Sequence, residues 1–222
     1  MRSIVIPAYN EAENIEKVVK AVLELGDIEV IVSDDGSTDG TGDIVKRLGL
    51  ENVRLVSGKN RGKGAAIKRG LRIASSDVMG FLDADMSAHP DELLDLFKEL
   101  YKGADVVIGS RDLPESVIPV KQPVHRRFLG TLYRTITRRL FKIDIMDFQC
   151  GLKVFKKEVW DNITVDTDGF AFDTELIAKA HKRGYTIKEV PITWQNFPKS
   201  RVNPVSDSIK MFIELIKIRS RI

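Results

Sequence analysis

Two carboxylates, Asp83 and Asp85, stand one residue apart behind a short apolar run, Val78-Met79-Gly80-Phe81-Leu82. The run reads as a strand, and His89-Pro90-Asp91-Glu92 beyond it reads as a helix start. Paired acids at the carboxyl edge of a strand suit the holding of a divalent ion against a phosphate-bearing ligand. Hard oxygen donors select Mg²⁺ or Mn²⁺, which sit between one or two carboxylates and substrate phosphates. An isolated Asp-x-Asp is as easily a pair of solvated loop acids. What surrounds this one decides between the two readings.

The first half of the chain alternates short apolar runs with helical patterns. Strands are expected at 3–8, 28–33, 53–56, 78–82 and 105–108, and helices at 11–25, 41–48, 64–73 and 91–101. Such alternation implies βαβ crossovers and an α/β fold with a mostly parallel sheet covered on both faces. Ligands of such sheets bind at the carboxyl ends of the strands. Each expected strand delivers polar residues there: Pro7, Tyr9, Asn10 and Glu11; Asp34, Asp35 and Ser37; Asn60-Arg61-Gly62-Lys63-Gly64; Asp83 and Asp85; and Ser110-Arg111. These positions make one crevice. Its glycines fit neither a dinucleotide fingerprint nor a Walker loop, so they are read as turn residues allowing close backbone approach. Lys63 is either beside a ligand or solvated.

Composition narrows the class. With 222 residues, 43% hydrophobic and 30% charged, the chain describes an ordinary globular protein. Cys150 is the only cysteine, which removes intramolecular disulfides. His89, His125 and His181 lack metal-ligand spacing. No stretch approaches the ~18 apolar residues of a membrane span, and no secretory signal is seen. The net charge of +3 says little, but its distribution says more. From Ser116 to Ile143 there is no acid, while Lys121, Arg126, Arg127, Arg134, Arg138, Arg139 and Lys142 alternate with Phe128, Leu129, Leu132, Tyr133, Ile136, Leu140 and Phe141 at helical spacing. A basic amphipathic helix of this kind can lie in a membrane interface. No base-stacking platform or reader motif accompanies it, so no nucleic acid partner is expected. Residues 205–222 form a second amphipathic segment.

Four motifs, Ile6-Pro7-Ala8-Tyr9-Asn10-Glu11, Asp34-Asp35-Gly36-Ser37-Thr38-Asp39-Gly40-Thr41, Asn60-Arg61-Gly62-Lys63-Gly64 and Asp83-Ala84-Asp85, resemble in order and spacing those of a family 2 glycosyltransferase. Downstream, Asp147-Phe148-Gln149-Cys150-Gly151-Leu152-Lys153, Phe172-Asp173-Thr174-Glu175-Leu176 and Glu189-Val190-Pro191-Ile192-Thr193-Trp194 with Lys199-Ser200-Arg201-Val202 resemble the dolichyl-phosphate glucosyltransferase branch. Dolichyl-phosphate mannose synthases share the layout but differ where this chain has Gln149-Cys150-Gly151-Leu152.

The resemblance implies a GT-A fold: a single domain with a nucleotide-sugar half at 1–110, an acceptor half at 111–203 and an amphipathic C-terminal helix at 204–222. It implies that Pro7, Tyr9 and Glu11 border the nucleoside and that Asp34 or Asp35 bonds the base. Lys63, Asp83 and Gln149 would line the sugar-diphosphate site, and Asp83 and Asp85 would hold Mg²⁺ or Mn²⁺. Asp85, Asp173 and Arg111 would serve the reaction, Glu175 would stand near it, and Arg111, Arg126 and Arg127 would meet the acceptor phosphate. The implied activity is inverting transfer of a hexose from UDP-glucose or GDP-mannose to dolichyl or polyprenyl phosphate, on the cytoplasmic face of a membrane. A phosphate oxygen is already anionic, so this acceptor needs no general base. A saccharide or protein acceptor would need one, with Asp173 as its candidate. A nucleotide-sugar-binding protein without turnover is the remaining alternative.

Overall fold

The structure, a computed structural model, describes residues 1–120, 124–195 and 206–222, apart from the side chains of 124–126 and 206–209. Lys121, the Arg126 side chain and the Lys199-Ser200-Arg201-Val202 run lie outside the described residues.

The elements run β1 Arg2–Ala8, α1 Ile15–Leu23, β2 Ile28–Asp34, α2 Thr41–Leu48, β3 Val53–Ser57, α3 Lys63–Leu71, β4 Val78–Leu82, α4 Glu92–Tyr101 and β5 Val106–Ser110. They continue with α5 Val124–Phe141, β6 Leu152–Lys156, α6 Lys157–Asn162, α7 Phe172–Lys182, β7 Ile187–Pro191 and α8 Ser206–Arg221. All of the strands join one sheet in the order β3-β2-β1-β4-β6-β5-β7. Only β6 runs against the rest, pairing antiparallel with β4 on one side and β5 on the other.

Residue alternation along the strands builds a core on each face. Ile4 and Ile6 of β1 and Val30 and Val32 of β2 pack with α1 and α4, through Val18, Val22, Leu93 and Phe97. Val5, Ile31 and Phe81 face the opposite side, against Ile67 and Leu71 of α3 and Phe172 and Leu176 of α7. A strand buried on both faces can be apolar throughout, and β2 is buried at all seven positions.

Several element boundaries differ from the sequence expectation, each for a local reason. The first helix starts at Ile15 rather than Glu11, because residues 12–14 form a turn in which the Glu11 carbonyl accepts from the Asn14 and Ile15 amides. β5 reaches Ser110 because it pairs with β7, a strand not expected, as far as Ser110 opposite Pro191. Within the basic segment, α5 covers Val124–Phe141. The C-terminal helix does not turn its whole apolar face outward. Leu215 and Ile218 are buried in the protein, the Phe212 ring lies 5.7 Å from that of Tyr133 on α5, and among the described side chains of α8 Ile213 and Ile216 are the prominently exposed apolar ones.

Candidate active site

The carboxyl ends of β1, β2, β4 and β5 open at one edge of the sheet. Because β6 is antiparallel, its amino end opens there too, and the 147–151 segment joins the crevice. The Asp83 amide donates to the Gly151 carbonyl at 3.0 Å, fixing the two strand ends together.

The first wall is two interlocked turns. Asn10 holds a positive φ of 55°; its amide donates to Ser37 Oγ at 2.8 Å, and its side-chain oxygen accepts from the Thr38 amide at 2.7 Å. The Glu11 amide donates to Thr41 Oγ1 at 2.9 Å. Tyr9 stands exposed at the rim. The two acids after β2 separate in role. Asp35 is buried, and its carboxylate accepts from the Arg61 and Gly62 amides at 3.0 and 2.7 Å and from Arg69 Nη2 at 3.0 Å. These contacts seat the loop before α3. Asp34 accepts from the Ser37 amide at 3.0 Å and lines a cavity of about 240 Å³ with Ser37, Thr38, Lys46 and Ser57.

The centre is a row of alternating charges. Lys63, the first residue of α3, reaches Asp83 with its Nζ 2.7 Å from Oδ1 and 2.9 Å from Oδ2. The same Nζ lies 3.9 Å from Asp173 Oδ2. Asp173 Oδ1 receives Lys153 Nζ at 2.6 Å, and Lys153 is fully buried in β6, its ammonium also donating to the Cys150 carbonyl. Burial by itself would depress the Lys63 pKa; the carboxylates of Asp83 and Asp173 override it and raise it. Lys63 is therefore not a solvated cation.

Asp85 is exposed, and its Oδ1 accepts from the Ser87 amide at 2.9 Å. Among the described residues, no three His, Cys, Asp or Glu side chains converge as a self-sufficient metal site. Asp83 and Asp85 supply two carboxylates, so a Mg²⁺ or Mn²⁺ held there would complete its shell with water and ligand phosphate oxygens, as such ions do. The residues fit a metal that arrives with a diphosphate.

A model of the glycosyl transferase family 2 domain matches residues 3–164. The chain belongs to glycosyl transferase family 2. It is 30% identical to a dolichyl-phosphate beta-glucosyltransferase of Dictyostelium discoideum, over 99% of this chain and 74% of that protein. It is 35% identical to a polyprenol monophosphomannose synthase of Mycolicibacterium smegmatis, over 86% of this chain and 76% of that protein. It is also 30% identical to glycosyltransferase AglD of Haloferax volcanii, where it spans 36% of the relative's length. Its fold is that of a glucosyl-3-phosphoglycerate synthase from Mycobacterium tuberculosis, solved with Mn²⁺, UDP and glucosyl-3-phosphoglycerate. The TM-score is 0.78 at 24% identity, covering 99% of this chain and 80% of that one. The fold is GT-A.

In this family 2 transferase the residues after β5 are organised around a pair, Arg111 and Asp147, whose pairing the sequence did not reveal. Asp147, buried, accepts from Arg111 Nε at 2.6 Å, Nη2 at 2.9 Å and the Arg111 amide at 3.1 Å. One edge of the guanidinium is thus engaged in a two-bond fork, and its Cζ lies 5.4 Å from the centre of the Trp194 ring. Arg111, read from the resemblance as meeting the acceptor phosphate, is thus held by Asp147. Burial alone would raise the Asp147 carboxyl; the Arg111 guanidinium outweighs it and holds the group well below the usual carboxylate range. Glu189 of β7 accepts from the Met146 and Asp147 amides at 2.7 and 2.9 Å, so the unexpected strand positions this pair. Cys150 is buried, and burial together with Asp147 pushes its thiol up to about 12, which leaves it a packing residue.

Gln149 donates its side-chain amide to Met211 Sδ on α8 at 3.7 Å. Glu175 points away from the crevice charges. It accepts from the Asp166 and Thr167 amides at 3.1 and 2.8 Å and pairs with Lys179 at 2.7 Å, staking down the loop before α7. Arg127 is exposed on α5. Lys153 was missed because a lysine in the run Leu152-Lys153-Val154-Phe155 reads as an outward-facing strand residue. Its signal was position, opposite Phe81 in β4, the strand that leads into Asp83.

Two measurements check this arrangement. A Cβ on Gly151 would sit 1.9 Å from Asp83 Oδ2. Gly151→Ala is expected to displace that carboxylate and lower the transferase rate about 100-fold, the size of effect a 1 Å misplacement produces, with circular dichroism unchanged. Asp147 has its pKa depressed by folding, so its contribution to stability is complete above the unfolded value of ~3.9 and drains as pH falls through the folded one. Asp147→Asn is expected to cost about 3 kcal/mol at pH 7 in urea unfolding, with the gap to the native protein closing below about pH 4.

Proposed function

We propose that this chain transfers a hexose from UDP-glucose or GDP-mannose to a polyprenyl phosphate, with inversion, using Mg²⁺ or Mn²⁺. The observation that carries the reading is the end of β4, where Asp83 and exposed Asp85 face a crevice that also holds Lys63. The names of the Dictyostelium and Mycolicibacterium relatives support the lipid-phosphate acceptor.

The bound ion would supply Lewis-acid stabilisation of the departing diphosphate. The chain's own residues do the rest. Asp83 and Asp85 hold the ion, and Pro7, Tyr9, Glu11 and Asp34 border the nucleoside. Gln149 contributes an amide to the sugar side. The acceptor's phosphate oxygen attacks the anomeric carbon as the bond to the diphosphate breaks, and no proton has to move. That suits the site, because Asp173 is 2% exposed and ion-paired with Lys153, a poor setting for a general base. A hydroxyl acceptor would need such a base, so the phosphate acceptor is favoured over a saccharide or protein.

The acceptor lipid brings the reaction to a membrane surface, here read as its cytoplasmic face. Among the described residues no helix is long and apolar enough to cross a membrane. On α5, Phe128, Leu132 and Ile136 recur every four residues and are all exposed, beside exposed Arg127 and Arg139. This stripe fits an interface-lying helix, its apolar side chains in the acyl boundary and its arginines on anionic headgroups.

With Mn²⁺ or Mg²⁺, labelled UDP-glucose or GDP-mannose and a short polyprenyl phosphate, label is expected to move into the organic phase. Asp85→Ala should abolish the transfer without unfolding the protein; retained transfer would refute the metal assignment. In flotation with anionic liposomes, binding is expected at low salt and weaker binding at high salt, with Phe128→Ser/Leu132→Ser several-fold weaker at both. No binding of the native chain at either salt would reject the surface.

A further inference from the structure

We infer that Lys63 is a built-in competitor for the metal: its ammonium occupies the Asp83 carboxylate until a nucleotide diphosphate and a divalent ion arrive together. The inference rests on the reading of Asp83 and Asp85 as metal-holding residues and concerns what else that site contains.

The position of Lys63 is imposed from several sides. The Asp35 carboxylate pins the Arg61 and Gly62 amides, and the Ala65 amide donates to the Asp168 carbonyl at 3.0 Å. Gly62 has φ +109°, and a Cβ there would meet the same Asp168 carbonyl oxygen at 2.8 Å, so the backbone cannot back away. Arg61 and Lys68 both pair with Asp168, at 2.6 and 2.7 Å, which closes the loop over the start of α3. The Lys63 side chain is left 16% exposed and directed into the crevice, with both Asp83 oxygens within 3 Å of its Nζ.

That geometry sets an ammonium against both Asp83 oxygens, and two cations on one carboxylate repel strongly in a half-buried site. The alternative seat for the ammonium is already present. Asp173 Oδ2 lies 3.9 Å from Nζ, and Asp173 is held rigidly by Lys153 through its other oxygen. A small rotation of the Lys63 side chain transfers it from Asp83 to Asp173 and opens the metal face of Asp83. The added negative charge of a diphosphate then compensates for two cations, Lys63 and the metal ion, in the same crevice. Metal and donor binding are therefore coupled: the ion alone must displace Lys63, whereas the ion with diphosphate uses it.

The test is Mn²⁺ titration followed by electron paramagnetic resonance, without nucleotide and with UDP, on the native chain, Lys63→Met, Lys63→Gln and Asp85→Asn. Without nucleotide, Lys63→Met and Lys63→Gln are expected to bind Mn²⁺ at least fivefold more tightly than the native chain. The tightening of Mn²⁺ by UDP is expected to shrink in both, and thermal melting establishes that each is folded. Mn²⁺ affinity equal to or weaker than native in the folded Lys63 variants, or no binding by any of these proteins, overturns the inference. Equal affinity with Asp85→Asn still weakening Mn²⁺ removes the role of Lys63 and leaves the metal assignment standing. Unchanged Mn²⁺ affinity in Asp85→Asn removes the metal assignment and the inference with it.

Discussion

A buried ammonium has to be paired, and in this protein one such requirement organises the catalytic crevice. Lys153 lies in the interior of β6 with no exposed surface. An unpaired charge there would cost several kcal/mol. Asp173 answers it at 2.6 Å and in doing so ties the first turn of α7 to the centre of the sheet. Asp173 in turn faces Lys63, and Lys63 faces Asp83. Residues from β4, α3, α7 and β6 are thereby held in one electrostatic row. None of the four can be removed without leaving a neighbour short of a counter-charge.

The residues after β5 repeat the device around a different pair. Asp147 is nearly inaccessible, yet it is ionised because Arg111 meets it with two parallel N–H bonds, a geometry that a lysine could not reproduce. Glu189 and Trp194 hold that pair from opposite sides, one by accepting from the backbone of 146 and 147, the other by stacking. Rigid placement of charge matters wherever anionic groups are to be bound, because repulsion has to be met by groups already in position. Loop 166–169 closes the arrangement. It is staked from below by Glu175 and from the side by Arg61 and Lys68, and α8 lies against it with the Glu214 carboxylate about 3 Å from where a Gly169 Cβ would be.

Much of the nucleotide half could be read in the chain. Asp34, Lys63, Asp83 and the Pro7–Glu11 turn each follow a strand whose apolar alternation is evident, and a parallel sheet has only one edge where all of them can end. The acceptor half was harder. β7 is short and of mixed polarity, Ile187-Lys188-Glu189-Val190-Pro191, and exists as a strand because β5 offers it an edge. Asp35 looked equivalent to Asp34 until the fold showed Arg69 and two amides converging on it. The amphipathic pattern of α8 did not say where its apolar side points, and Leu215 and Ile218 turn into the protein.

The sequence by itself determined the strand and helix periods, the edge at which the polar residues gather, and the family, because these depend on neighbours within a few positions. Only the tertiary structure decided which charges face each other. The insertion of β6 against the direction of its neighbours brings Gly151 and Lys153 beside Asp83 and Asp173. Coulombic partners are chosen by distance in space, which a linear pattern of residue types does not contain.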